Sequence, residues 1–291
     1  MMGPPMPELS RRTQPWRLTQ RTPLPGAGDV SPFCVGMVDD PETIVAAFDA
    51  GINFFFLSGD LHWGMYEATR VGLARLLARG GIRERIVVGV VSYVTQPEFI
   101  PAAYEEAVAS VPGLGRADVL IAGGCYAHDF FVRLGTLEQL RASRWLDACA
   151  IGASFHDRDA ARLAIQRGLI DVAFVRYNAA HTGALNDLFP HLPRPRLSLV
   201  YNFSSTKGYV AAETLDRLGL GPDYWRPRVT DHYRMVAARA ELDGVLCSPR
   251  TPDMVRALVD AMAQAPLSEE EEHYLHHLVL LASGRAQIDE G

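Results

Sequence analysis

The sequence predicts an α/β fold: a (β/α)8 TIM barrel with an N-terminal hairpin and an extra C-terminal helix. Three observations carry this. Short apolar runs alternate with helical stretches along most of the chain, giving eight strand–helix units. Runs such as residues 52–58 and 85–93 are apolar on both faces, as strands of a parallel sheet buried on both sides must be. The length of 291 residues suits one closed barrel, typically roughly 250 residues. No Gly-x-Gly-x-x-Gly follows an early strand, which weighs against a doubly wound dinucleotide sheet.

Residues 1–15 are rich in proline and arginine and lack an apolar core, so a flexible tail is expected there, not a secretion signal. Residues 16–291 are expected to form one domain. Residues 16–31 carry Pro23, Pro25, Gly26 and Gly28 and predict a short hairpin or irregular lead-in. Strand 33–38 then meets Asp39-Asp40-Pro41-Glu42, with Asp at a helix N-cap, proline in the first turn and acid at the positive end of the dipole. Helix 42–50 stops at Gly51. Strand 52–58 empties into Gly59-Asp60-Leu61-His62-Trp63, and helix 63–78 closes at Gly80-Gly81.

The unit repeats as strand 85–93 with helix 97–110, strand 118–123 with helix 131–143, and strand 146–154 with helix 157–167. Strand 171–176 leads to a short helix near 183–189. Strand 196–203 leads through an irregular segment to helix 229–240. Strand 243–247 leads to helix 252–263. A last helix, 268–281, starts at Ser268 with Glu269, Glu270 and Glu271 in its first turn and is expected outside the barrel. For the run Glu269 to Glu272 a solvated face is a sufficient reason.

Bulk composition narrows the function classes. Hydrophobic residues at 48% and charged residues at 21% describe an ordered globular chain. A net charge of -6 without a basic patch argues against nucleic acid as a partner. No apolar run reaches membrane-spanning length. Cys34, Cys125, Cys149 and Cys247 show no CxxC spacing and read as reduced core thiols of a cytoplasmic protein. The expected partner is a small-molecule or peptide substrate, and the expected state a monomer or homodimer.

Several segments, taken in order, resemble the aldo-keto reductases over nearly the whole chain. Asp49-Ala50-Gly51-Ile52-Asn53-Phe54-Phe55 resembles the entry to that family's second strand. Ala150-Ile151-Gly152-Ala153-Ser154 resembles its fifth strand, and Ile170-Asp171-Val172 through Tyr177-Asn178 its sixth. Val200-Tyr201 resembles the seventh, and residues 245–254 the last strand and phosphate-binding loop. The resemblance implies hydride transfer from NADPH to a carbonyl, by an Asp, a Tyr, a Lys and a His at the barrel mouth. In this chain the matching positions hold other residues. The Asp position falls on Phe56, and the Tyr position on Leu61 with His62 beside it. The Lys position falls near Val91 or Ser92, and the His position near Gly123 or Gly124. Lys207, the only lysine, lies after the seventh strand and reads as a surface residue, the sharper alternative being a Schiff-base amine.

The resemblance keeps part of the cofactor site. It assigns Ser154 to the nicotinamide amide and Tyr201 to the nicotinamide face. Phe155 and Phe174 replace the family's Asn and Gln. Ser248 and Arg250 precede a helix N-terminus, a natural anion site. NADP is therefore the cofactor to test.

Four histidines follow predicted strand ends: His62, His128, His156 and His181. Each has a polar or acidic companion, as in Asp60-Leu61-His62 and His156-Asp157; a loop or cap role is the expectation for any single one, and a proton shuttle for at least one of the four. Asp60, His62, His156 and His181 are the candidate catalytic set. These four mouth histidines contain no HxH or HxxxH pair, so no metal is expected. Tyr93, Tyr126, Tyr177 and Tyr201 are substitute proton donors or pocket walls. Arg176 ends a buried strand and needs an acid such as Asp60 or an anionic ligand. The functional expectations are three: a reductase-like enzyme with a non-standard site, a non-redox barrel enzyme (isomerase, cyclase or hydrolase) using mouth histidines, or a catalytically silent binding protein of a biosynthetic pathway.

Overall fold

A computed structural model describes residues 9–203, 209–221 and 223–285. Eight parallel strands close into a barrel: β3 (Phe33–Val35), β4 (Phe54–Ser58), β5 (Val87–Ser92), β6 (Val119–Cys125), β7 (Ala150–Phe155), β8 (Val172–Arg176), β9 (Leu199–Phe203) and β10 (Gly244–Cys247). Neighbours in sequence are neighbours in the sheet, and β10 pairs β3 to shut it. The expected hairpin is β1 (Thr22–Leu24) against β2 (Gly28–Val30), antiparallel.

Helices alternate with the strands: α1 (Glu42–Asp49), α2 (Glu67–Leu77), α3 (Ile100–Ala109), α4 (Phe130–Ala142), α5 (Arg158–Gln166), α6 (Ala184–Asp187), α7 (Ala212–Arg217), α8 (Val229–Ala237), α9 (Pro252–Met262) and α10 (Glu269–Ala282). The local chemistry explains several starts. Asp157 caps α5 by accepting the Asp159 and Ala160 amides. Ser268 and Glu271 form a capping box at α10.

Differences from expectation have local causes. Helix 63–78 divides at Tyr66 into a 3-10 turn, Trp63–Tyr66, and α2. Strand 146–154 starts only at Ala150, because Arg144, Leu146 and Asp147 adopt positive φ in a tight turn. Cys149 is exposed while the other three cysteines are buried, so it is not a core thiol. The expected flexible tail is held over its described part. The Arg12 amide donates to Ala238 O and the Ala240 amide to Ser10 O. Arg11 donates to both carboxylate oxygens of Glu272. Lys207 lies outside the described residues.

The barrel floor is built four times from one device. Asn53, Asp118, Asp171 and Asp243 stand at the starts of alternate strands. Each side chain accepts a backbone N–H from the preceding strand or its lead-in: Ser31 at 2.8 Å, Val88 at 2.7 Å, Ile151 at 2.8 Å and Val200 at 2.8 Å. The three aspartates are neutralised by Arg83 and Arg116, by Arg141, and by Arg196. These amides would otherwise be left unpaired at the sheet end.

Side chains alternate in and out along each strand. Phe54, Phe56, Phe174 and Tyr201 meet inside the barrel, with ring centroids 5.3 Å apart for Phe56–Phe174 and 5.4 Å for Phe54–Tyr201. Gly244 leaves room for them, since a Cβ there would strike the Tyr201 ring and Pro32 O. The interior is thus a packed aromatic plug.

Candidate active site

The layer above the plug begins with the loop after β4. Asp60 is half-buried and fully engaged. Its Oδ2 accepts from the Ser92 hydroxyl at 2.6 Å and from the Tyr93 amide at 2.8 Å, and its Oδ1 from the Leu61 amide at 2.5 Å. It ties the end of β4 to the end of β5 and fixes the backbone of Tyr93. Arg133, reaching in from α4 and buried, grips the same place from the other side. It donates to Ser92 O at 2.7 Å and Gly123 O at 2.8 Å, and pairs with Asp129 at 3.1 Å. The Tyr93 ring then meets His62 edge-on, centroids 5.1 Å apart. Burial, and next the Asp60 charge, push the Tyr93 phenol up to about 12. It is protonated across the neutral range, as an ordinary phenol also is, and the rise makes it a weaker acid.

A bulge shapes the centre of the mouth. The β6–β7 register shifts between Ala122 and Cys125, and Gly124 takes a φ of 64°. The Ser154 Oγ accepts the Gly124 amide at 2.8 Å. A Cβ on Gly124 would touch Tyr93 Cδ1 and His156 Cδ2, each at 3.4 Å. Tyr93 and His156 thus converge over this glycine.

On the far side, His156 Nδ1 lies 3.1 Å from Arg176 Nη2. The Arg176 guanidinium sits over Phe203, 5.5 Å from its centroid, and Phe203 is the register partner of Arg176. Tyr126 stacks on His128 and leans on His156, centroids 5.7 Å apart in both cases. Arg176 is not paired with Asp60, whose oxygens are taken. An open cleft of about 730 Å³ runs outward from Tyr126 and His156 past Asp157 and Arg158 to Asp187.

The predicted residues divide accordingly. Asp60, His62, Ser154 and His156 come together at the mouth. His181 does not join them. It sits in a turn after β8, with Nδ1 3.2 Å from Asn178 Oδ1, and α10 covers this turn through His276 to Ala179 O. Tyr201 cannot stack on a ligand at the mouth. It is fully buried one layer down, and its hydroxyl donates to Ser31 O at the floor, 2.7 Å away. The strand period of two places Phe203, not Tyr201, in the mouth layer. Tyr177 is likewise buried, with its hydroxyl on Arg239 at 3.1 Å.

Two residues were missed. Tyr66 turns inward from the 3-10 segment. Its hydroxyl and the Ser248 Oγ both lie 3.5 Å from where a Cβ on Gly36 would stand. Burial first, then neighbouring Tyr93, raise this phenol. The second is Arg133, whose helix position gives no sign of its reach. The i,i+4 spacing to Asp129 was the available signal for it.

A nicotinamide nucleotide is the cofactor that the reductase resemblance implies, and the residues present fit it. Ser154 accepts one amide and keeps its own hydroxyl proton to donate. Phe203 supplies an aromatic wall. Arg250 stands before the N-terminus of α9, paired with Asp39 at 2.8 Å and half-exposed. Such an exposed pair is worth at most about 1 kcal/mol, so a phosphate can replace Asp39. Asp253 in the first turn of α9 is paired with Arg256. Among the described residues no three of His, Cys, Asp and Glu gather into a metal-binding group, although His273 and His277 share the i,i+4 spacing of one. Among the same residues no helix is long and apolar enough to cross a membrane.

No known family model matches the chain, and no curated protein does. Solved structures match it over nearly its whole length. A glycerol dehydrogenase from Gluconobacter oxydans superposes with a TM-score of 0.67 at 14% identity, covering 94% of this chain and 98% of its own. The holo form of an aldo-keto reductase from Bacillus halodurans gives 0.64 at 15%, covering 97% and 99%. A putative aldo-keto reductase from Pseudomonas aeruginosa gives 0.63 at 16%, covering 87% and 97%. The chain shares the aldo-keto reductase barrel fold. At such identity the likeness speaks for the fold, and a reaction has to be argued from the site.

Proposed function

We propose that the chain is an oxidoreductase-like barrel enzyme that reduces a carbonyl of a small molecule with a nicotinamide nucleotide, using a non-standard proton-donating group. The observation that carries this is the Tyr93 phenol. It stays protonated at the mouth, its backbone clamped by Asp60 and its neighbour Ser92 gripped by Arg133, in a barrel shared with reductases.

The nucleotide, when bound by Ser154, Phe203, Ser248 and Arg250, supplies the hydride. The chain's own residues supply the rest. Tyr93 Oη holds the proton that a carbonyl oxygen gains, and the His62 ring packs edge-on against Tyr93. Phe56 and Phe174 close the space below and exclude water from under the substrate. By the resemblance, Phe56, Leu61, Val91 or Ser92, and Gly123 or Gly124 hold the positions of the family's four catalytic groups. The proton donor is therefore supplied from β5 and not from the loop after β4.

NADPH and NADH are titrated while protein fluorescence is followed, with Trp63 as the mouth reporter. Nucleotide oxidation is then measured with a panel of aldehydes and 2-oxo compounds. Saturable nucleotide binding and a turnover lost in Tyr93→Phe are expected. No binding at millimolar nucleotide would overturn the proposal. The second reading, a non-redox barrel enzyme, is favoured by the two histidine pairs at the mouth, His62 with Tyr93 and His156 with Arg176.

A further inference from the structure

We infer that Arg176, laid on Phe203 with His156 beside it, is the seat of an anionic group on the substrate, a carboxylate or a phosphate. This rests on the reading of the mouth as the substrate site.

Arg176 ends β8 in the mouth layer and has no carboxylate partner among the described residues. Among the described residues, nothing bonds to its buried Nε. The contrast with Arg133 is direct, since that guanidinium has Asp129 and two carbonyls. The carboxylates around the mouth are committed elsewhere. Asp60 holds Ser92 and Tyr93, Asp157 caps α5, and Asp187 pairs with Arg158 at 2.7 Å.

His156 does not supply the missing charge. A guanidinium has no lone pair to accept with, so His156 Nδ1 must be the acceptor. The contact offers the guanidinium a nitrogen and no carboxylate, and an oxyanion would supply the opposite charge. Phe203 fixes the plane of the guanidinium through the cation–π contact. A planar fork so held presents parallel N–H donors, the geometry that two oxygens of a carboxylate or phosphate accept. The substrate class is then a carbonyl compound bearing an oxyanion, a small 2-oxo acid or a phosphorylated carbonyl.

The test is calorimetric titration of the full-length protein with sodium pyruvate, with inorganic phosphate, and with neutral pyruvamide. Wild type, Arg176→Met and Arg176→Lys are compared, with thermal unfolding as the check on folding. At least one anion is expected to bind wild type about tenfold more tightly than pyruvamide, and to weaken about tenfold to a hundredfold in Arg176→Met, the range for charged hydrogen bonds. Arg176→Lys should keep part of the affinity, and pyruvamide should not distinguish the variants. Tighter phosphate points to a phosphorylated substrate, tighter pyruvate to a carboxylic acid. The inference falls if neither anion binds wild type, if wild type does not prefer anion to amide, or if folded Arg176→Met binds both anions undiminished. The anion-to-amide comparison in wild type decides the matter even if Arg176→Met fails to fold. Anion binding without nucleotide binding would uphold this inference and remove the reductase reading. Nucleotide-driven reduction of neutral carbonyls, indifferent to Arg176, would do the reverse.

Discussion

The Asp60 carboxylate reaches from the end of β4 to the Ser92 hydroxyl and the Tyr93 amide, at 2.6 Å and 2.8 Å, so one side chain both joins two strands and aims the mouth phenol. The same charge helps hold Tyr93 protonated. Asp60→Asn removes the charge and keeps the shape. Burial is the larger cause of the raised phenol, so the Tyr93 value should fall from about 12 yet stay above 10. Tyrosinate absorbance followed through an alkaline titration reads this directly. An unchanged titration would show that Asp60 does not act on Tyr93. Asp60→Ala should also cost about 1–3 kcal/mol in urea unfolding, because the Ser92 hydroxyl and two amides lose their acceptor.

The barrel was legible because its signals are local. Gly51 and Gly168 stop helices, Asp157 and Ser268 start them, and apolar runs mark the strands, all within a few residues of one another. The mouth was legible only in part, since strand ends say which residues are near and not which layer they occupy. Tyr201 and Phe203 show the difference. Both face inward from β9, and a shift of two residues moves the aromatic from floor-bonded plug to mouth wall. The partner of Arg176 and the reach of Arg133 are long-range facts that no local pattern carries.

The N-terminal segment should matter to stability, contrary to a free tail. Glu272 is buried and receives both Arg11, at 2.9 Å, and Arg239, which also touches Tyr177. Glu272→Leu takes the shared carboxylate from two guanidinium groups, leaving only the exposed Glu269 beside Arg11, and should cost about 3–5 kcal/mol in urea unfolding. Arg11→Ala removes one cation and leaves the Arg239–Glu272 pair, so its cost should be clearly smaller. Equal costs would mean that Arg11 and not Arg239 is the dominant partner.

His232 gives a pH dependence of known sign. It is fully buried, neither ring nitrogen has a partner among the described residues, and burial lowers it from 6.5 to about 4. Between these values the unfolded chain binds a proton that the folded chain refuses. The stability it contributes is thus complete above about 6.5 and is lost as pH falls toward 4, by about 3 kcal/mol in all. His232→Phe should flatten this part of the stability curve measured by denaturant unfolding across pH 4 to 7. It should not destabilise at neutral pH, because it removes two unpaired buried nitrogens near the Tyr209 ring. A slope that survives the substitution would place the titration elsewhere.

Phe56 stands where the resemblance to the aldo-keto reductases would put an acid, and introducing an acid there should not give carbonyl reduction. The ring packs edge-on against Phe174 at 5.3 Å inside the aromatic plug and is almost fully buried. Phe56→Asp removes that packing and puts a carboxyl among Phe54, Phe174 and Val91, where no lysine stands among the described residues to receive it. Loss of the ring alone costs about 3–5 kcal/mol, and burial of an unpaired carboxyl adds to it. The variant is expected to unfold at much lower urea than Phe56→Leu, which keeps the apolar contact and should lose only about 1 kcal/mol. If Phe56→Asp instead folds with near wild-type stability and gains carbonyl reduction, the proton donor is not Tyr93, and the mouth has kept a working acid site that Phe56 only covers.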